Sequence, residues 1–193
     1  MWWLKLPRHR RPAWVAAAAR LTVVLAAAGL TAGCWQPLYG TAPTPGAESV
    51  QDKFAGVEIP AIPAPKGSPT ERVAVGMRNA LQYALHNGAN TYAPSYRLAV
   101  TIRNLQFTAY VDPNSGRPDT QIESVEARYQ LIEIATGKTV VNDNAFVHVD
   151  YDIPGPEQRF AGQRARRNAE DNAIQGMAET IRNRLASYFV AGT

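Results

Sequence analysis

The sequence predicts an α+β domain: two helices packed on one face of a mixed four-stranded sheet, in the order strand-helix-strand-strand-strand-helix. Three observations carry this prediction. Between Tyr96 and Tyr151, apolar residues recur at every second position in three runs separated by turn residues. Before those runs, over 69–87, and after them, over 157–190, the apolar period becomes that of a helix. The only cysteine, Cys34, precedes all of these segments, so no disulfide staples them and they must bury one another's apolar faces.

Residues 1–33 read as an export signal rather than as part of the domain. Lys5, Arg8, Arg10, Arg11 and Arg20 stand ahead of an uncharged run from Leu21 to Ala32, which ends on Gly33-Cys34. A basic region, a short apolar region and small residues at a cut site describe a secretory signal, and the run is too short to span a bilayer. The terminal Gly-Cys is that of a bacterial lipoprotein signal, whose cysteine is acylated, palmitate-type chains included, and becomes the first mature residue. Thr31 occupies a place where leucine is usual. Residues 34–52 then read as a lipidated N-terminus and a tether, because Thr41 to Gln51 is rich in Pro, Ala, Thr and Gly.

Residues 53–193 form the single expected domain. Phe54 to Ile62 reads as a short strand with Val57 and Ile59 on one face, stopped by Pro60, Pro63 and Pro65. Pro69 to Asn87 reads as a helix capped by Ser68 or Thr70. Its apolar face holds Val73, Met77, Ala80, Leu81, Ala84 and Leu85, and its polar face Arg72, Asn79, Gln82 and His86. In the next strand Tyr96, Leu98, Val100 and Ile102 alternate, then Leu105 and Phe107 continue out of phase, which predicts a bulge near Arg103-Asn104. A polar connection, Asp112 to Asp119, leads to the strand of Val125, Ala127, Tyr129 and Leu131. Ala135-Thr136-Gly137-Lys138 predicts a hairpin turn into the strand of Val141, Ala145, Val147, Val149 and Tyr151. Ile153-Pro154-Gly155-Pro156 ends the sheet. The last helix, from about Glu157 to Val190, carries the stripe Ile174, Met177, Ala178, Ile181, Leu185 and Tyr188, while its first half is charged.

Charge excludes one class of function. The chain's net +4 suggests a polyanion, but five of its 20 Lys and Arg and none of its 16 Asp and Glu precede Cys34. The remaining 15 positive and 16 negative charges leave a net of −1, and no nucleic-acid partner is expected. No enzyme, cofactor or metal is expected either. His86 and His148 stand apart without ligand spacing, and neither a phosphate loop nor a nucleophile elbow is present. Arg159, Arg164, Arg166 and Arg167 cluster at the start of the last helix. They read as a solvated face offset by Glu170 and Asp171, or as a contact for phosphate-bearing lipid or an acidic partner.

The segment Gly33-Cys34-Trp35-Gln36-Pro37-Leu38-Tyr39-Gly40 resembles the mature start of the LPS-assembly lipoproteins of the LptE family. The similarity continues through Arg72 to Leu81, Tyr96 to Val100 and Ile181 to Phe189. Trp35-Gln36 stands where the family often has Gly-Phe, moving the aromatic by one position. The resemblance implies an outer-membrane lipoprotein, anchored on the periplasmic side, that plugs an LptD-type β-barrel and helps place lipopolysaccharide in the outer leaflet. The alternative is a lipid-anchored accessory subunit of another envelope transport or cell-wall complex. On the family reading, Arg97, Arg103 and Arg128 are candidate lipopolysaccharide contacts, since arginines on an exposed sheet face can bind phosphates in bidentate fashion. Asp112, Pro113, Asn114, Ser115, Gly116, Arg117 and Pro118 are candidate barrel contacts, as the tip of an extended hairpin expected at the sheet end away from the Ile153-Pro154 break.

Replacement of Cys34 by Ala is expected to leave an uncleaved precursor or a soluble domain. An unchanged mass and an unchanged membrane fraction for that mutant would remove the lipidation claim, while its circular dichroism spectrum should match the wild type.

Overall fold

The computed structural model describes residues 48–87, 93–155 and 158–191; Cys34 and most of the expected tether lie outside them. Its elements run α1 (Val50–Ala55), β1 (Val57–Glu58), α2 (Pro69–His86), β2 (Tyr96–Val111), β3 (Pro118–Glu133), β4 (Thr139–Asp152) and α3 (Arg159–Ala191). The four strands form one sheet in the order β1-β2-β3-β4. β1 runs parallel to β2, and the other neighbours are antiparallel. The predicted architecture is the observed one.

One prediction fails at the start of the domain. Phe54 and Ala55 close helix α1 instead of opening a strand, and β1 is only Val57–Glu58. The cause is a capping box: the Ser49 hydroxyl accepts from the Asp52 amide while the Asp52 carboxylate accepts from the Ser49 amide. Satisfying two orphan donors lets a six-residue helix form where composition suggested only tether. Two contacts then hold it down. Gln51 Nε2 donates to Leu85 O at 3.1 Å, and the Phe54 ring meets the Phe189 ring edge-on at 5.7 Å.

Helix α2 is capped by Ser68, with Pro69 in its first turn, and ends at Asn87 in the left-handed conformation at φ 48°. Its expected stripe is buried except for the half-buried Ala84, with Val73, Met77, Leu81 and Leu85 fully so. His86 departs from expectation: it is buried, and its Nε2 lies 2.9 Å from Val57 O, tying the helix end to β1. The α2–α3 contact is close at Gly76, where a Cβ would stand 2.8 Å from Ile174 Cδ1.

The bulge falls where the phase slip placed it, between Ile102 and Asn104. Gly137, at φ +69°, makes the β3–β4 turn and donates to Glu133 O at 2.8 Å. On the covered face of the sheet Leu98, Val100, Val125, Ala127, Tyr129, Leu131, Val141 and Ala145 meet Met177, Ile181 and Leu185 of α3 in one core. Burial, with Asp143 nearby, pushes the Tyr129 phenol up to about 12. The polar connection is shorter than the sequence implied, because Pro118 already pairs with Val111. It also lies at the same end of the sheet as the Ile153-Pro154 break, not the opposite one. β4 runs back along β3, so Asp152 faces Thr120 and the Ile153 amide donates to Asp119 O.

Phe54 is fully buried, and replacing it by Ala removes the ring that joins the two chain ends of the domain. The expected cost is about 3–4 kcal/mol in urea unfolding. A loss below about 1 kcal/mol would place α1 outside the cooperative fold.

Candidate functional site

The two faces of the sheet differ in chemistry. On the face that no described element covers, the strand registers set side chains in rows: Thr101-Arg128-Asn144, Asn104-Glu126-Phe146 and Gln106-Ser124-His148. The rows are mostly amides, hydroxyls and charges, interrupted by Phe146, which is 66% exposed. His148 is on this face, its Nδ1 2.7 Å from Ser124 Oγ and its ring against Phe146 at 5.0 Å. Asn104, Gln106, Ser124, Asn144, Phe146 and His148 line a shallow cavity of about 250 Å³.

The three arginines expected on this surface are exposed but separate. Arg97 Nε donates to Glu58 Oε2 at 3.0 Å, so its charge already has a partner. Arg128 lies opposite Thr101, four residues further along β2 than Arg97, or about 13 Å at strand spacing, and its Nε donates to Asn142 Oδ1. Arg103 is the extra residue of the bulge, since Ile102 pairs with Ala127 and Asn104 with Glu126. A ligand touching all three would have to be extended.

The hairpin tip is well ordered by its own bonds. Asp112 accepts from the Asn114 amide at 2.9 Å and the Ser115 amide at 3.2 Å, and its backbone closes the turn with Gly116 and Arg117. Hydrogen bonds from Ser115 and from the Asn114 amide hold its carboxyl below the usual range. Pro113, Asn114, Ser115, Gly116, Arg117 and Pro118 are all exposed, as are Tyr110 and Val111 beneath them. The tip is therefore a rigid projection rather than a floppy loop.

The covered face holds a polar cluster that the sequence reading missed. Glu123 is fully buried, opposite Phe107 and Val149, and neither carboxylate oxygen has a hydrogen-bond partner. Glu170, assigned above to a solvated face, is also buried and forms a bidentate pair with Arg72 of α2. Arg166 lies over the Phe107 ring at 4.7 Å, and the Tyr151 hydroxyl donates to Gln121 Oε1. Beside this cluster Ser68, Arg72, Gly76, Arg167, Glu170 and Ile174 line a groove of about 800 Å³ between α2 and α3. Both carboxylates were detectable. Glu123 shares parity with Val125, Ala127, Tyr129 and Leu131, and Glu170 stands four residues before Ile174.

No protein-family model and no curated protein matches this chain. Solved structures do. A candidate lipoprotein from Caulobacter crescentus superimposes with a TM-score of 0.56 at 18% identity, covering 74% of this chain and 96% of that one. The rare lipoprotein B of Shewanella oneidensis aligns with a TM-score of 0.48 at 14% identity, over 69% of this chain and 96% of that one. At such identity the likeness to the Caulobacter structure establishes a shared α+β fold.

Burial, then the Glu170 carboxylate, push the Glu123 carboxyl from 4.5 up to about 7, against opposing pulls from Arg166 and Arg72. The folded chain therefore holds this proton more tightly than the unfolded one. Stability should fall as pH rises from about 4.5 to about 7 and stay reduced above. Glu123→Gln should match the wild type near pH 4 and exceed it at pH 8 by on the order of 2 kcal/mol. The same difference at both pH values in denaturant melts would contradict this assignment.

Proposed function

We propose that this chain is a lipid-anchored envelope protein of LptE type, plugging an LptD-like β-barrel in the outer membrane and assisting placement of lipopolysaccharide in the outer leaflet. The observation that carries the proposal is a conjunction. A signal ending on Gly33-Cys34 and followed by Pro37-Leu38-Tyr39 precedes a domain whose fold is shared with a candidate lipoprotein of Caulobacter crescentus.

Several features support the reading. The open sheet face is polar and suits the wet interior of a large barrel. The rigid tip from Asp112 to Arg117 projects at the sheet end where cover is thinnest, as a segment reaching into a lumen would. Because Asp112 pre-orders that turn, little conformational entropy opposes docking. An N-terminal anchor with more than one acyl chain would hold the domain stably at the membrane. Arg97, Arg103 and Arg128 supply an extended series of guanidinium groups for lipid phosphates. The proposed role is structural, not catalytic.

The test is affinity purification of the tagged chain from detergent-solubilised envelopes, alongside a variant shortened across Asn114 to Arg117. A large heat-modifiable barrel in stoichiometric amount is expected with the intact chain, and a clear loss of it with the shortened one. Recovery of an inner-membrane ATPase complex instead would favour the accessory-subunit alternative. Normal barrel recovery by the shortened chain, with an impermeable outer membrane, would reduce the tip to a turn.

A further inference from the structure

We propose that the outer edge of β4, from Phe146 to Asp152, accepts a single extended strand of a partner protein. The direction of the backbone groups is the first observation. The Ile153 amide donates to Asp119 O at 2.7 Å, so by antiparallel alternation the odd residues of β4 bond to β3 and the even ones point outward. Asn144 agrees, since its amide donates to Asp143 Oδ1 at 2.8 Å rather than to β3. Phe146, His148, Asp150 and Asp152 consequently present donors and acceptors that no described strand takes up.

Sheet edges are normally guarded by bulges, prolines or inward charges. The outer edge of β2 beyond β1 has such a guard in the bulge at Arg103. On β4 the first half is guarded by Asp143, which ties down the Asn144 amide. The second half has only the carboxylates of Asp150 and Asp152, which a basic strand would neutralise. From Ala145 to Asp152 there is no Pro, Gly, Lys or Arg, and the register with β3 is unbroken from Val141 onward.

The occupant is constrained by what surrounds the edge. A second copy of this chain does not fit, because α3 lies over β4 rather than β3, with a Cβ at Gly176 only 3.5 Å from Val147 Cγ1. Pairing β4 with β4 would bring two α3 helices to about the strand spacing of 5 Å, well inside helix packing distance. The chain's own tether suits the edge poorly, since Pro37, Pro43 and Pro45 withhold donors. A lone strand without a helix on that face does fit. Its side chains on the open face would meet Phe146 and the cavity beside it, then His148, then the exposed and unpaired Asp150 and Asp152. That sequence of neighbours selects an apolar residue at one end and basic residues at the other. A closed barrel wall has no free edge, so this contact would be distinct from lumen packing and does not depend on the role proposed above.

The probe is the peptide acetyl-Lys-Thr-Lys-Val-Thr-Val-Phe-amide, added to the full-length chain in detergent and followed by amide hydrogen exchange. Binding should slow exchange at Phe146, His148, Asp150 and Asp152 by about tenfold or more while leaving the odd residues of β4 unchanged. A peptide N-methylated at alternate residues should not bind. His148→Pro removes an outward donor without touching the β3 ladder and should abolish the effect. Asp150→Lys with Asp152→Lys keeps the backbone and should turn the preference to a peptide with Glu in place of Lys. The proposal is overturned if the matched peptide slows none of the four amides at millimolar concentration. It is equally overturned if the N-methylated peptide binds as well, or if the charge-reversed variant keeps its preference for the basic peptide.

Discussion

A sheet covered by helices on one face only imposes a period of two on everything its strands carry, because consecutive side chains must point to opposite environments. In β3 this sends Val125, Ala127, Tyr129 and Leu131 into the core and Ser124, Glu126, Arg128 and Gln130 to the open face. The bulge after Ile102 in β2 shifts the phase by one residue, so Leu105 still faces inward. Without cysteine in the domain, this one-sided core is what holds it together. Phe189 closes one end of it by contacting Phe54 and Tyr96, and Lys53 reaches its carbonyl.

Helix α3 is two structures in one. Its second half carries Ile174, Met177, Ile181 and Leu185 into the core, whereas its first half, over 159–171, has few apolar anchors. What attaches the first half is polar: Arg72 to Glu170, and Arg166 to the face of Phe107. With Glu170 buried and Arg72 half exposed, deleting the arginine would leave a buried carboxylate uncompensated, so the pair fixes geometry more than it strengthens the fold. Glu123 beneath it, buried without a partner, makes this the electrostatically costliest part of the domain.

Three exposed segments gather at one end of the domain. The hairpin tip, the last residues of β4 and the first turns of α3 meet there, because β4 returns along β3 to the level where β3 begins. The core is thinnest at that end, with Tyr110, Val111 and Phe160 exposed. The opposite end is clamped by α1, His86 and Phe189. The domain thus presents the hairpin tip and the free end of β4 away from its most extensive packing.

Local chemistry determined the element types, the bulge, the Gly137 turn, the Ser68 cap and most of the core, since each depends on residues close in sequence or on a strict period. The capping box of Ser49 and Asp52 was also local, but the surrounding Pro-rich composition outweighed it. Tertiary structure alone decided the environment of His86 and the partner of Glu170. A histidine on the polar side of an isolated helix becomes buried only when β1 is laid against it, and the spacing that puts Glu170 on the stripe of Ile174 does not name Arg72, which only α2 brings alongside. The relative placement of the hairpin tip and the Ile153-Pro154 break was likewise undecided by pattern, because periodicity assigns faces to a strand and says nothing of which ends meet. Spacing along the chain carries the period of each element; the partner that neutralises a buried charge lies almost a hundred residues away, and only folding brings the two together.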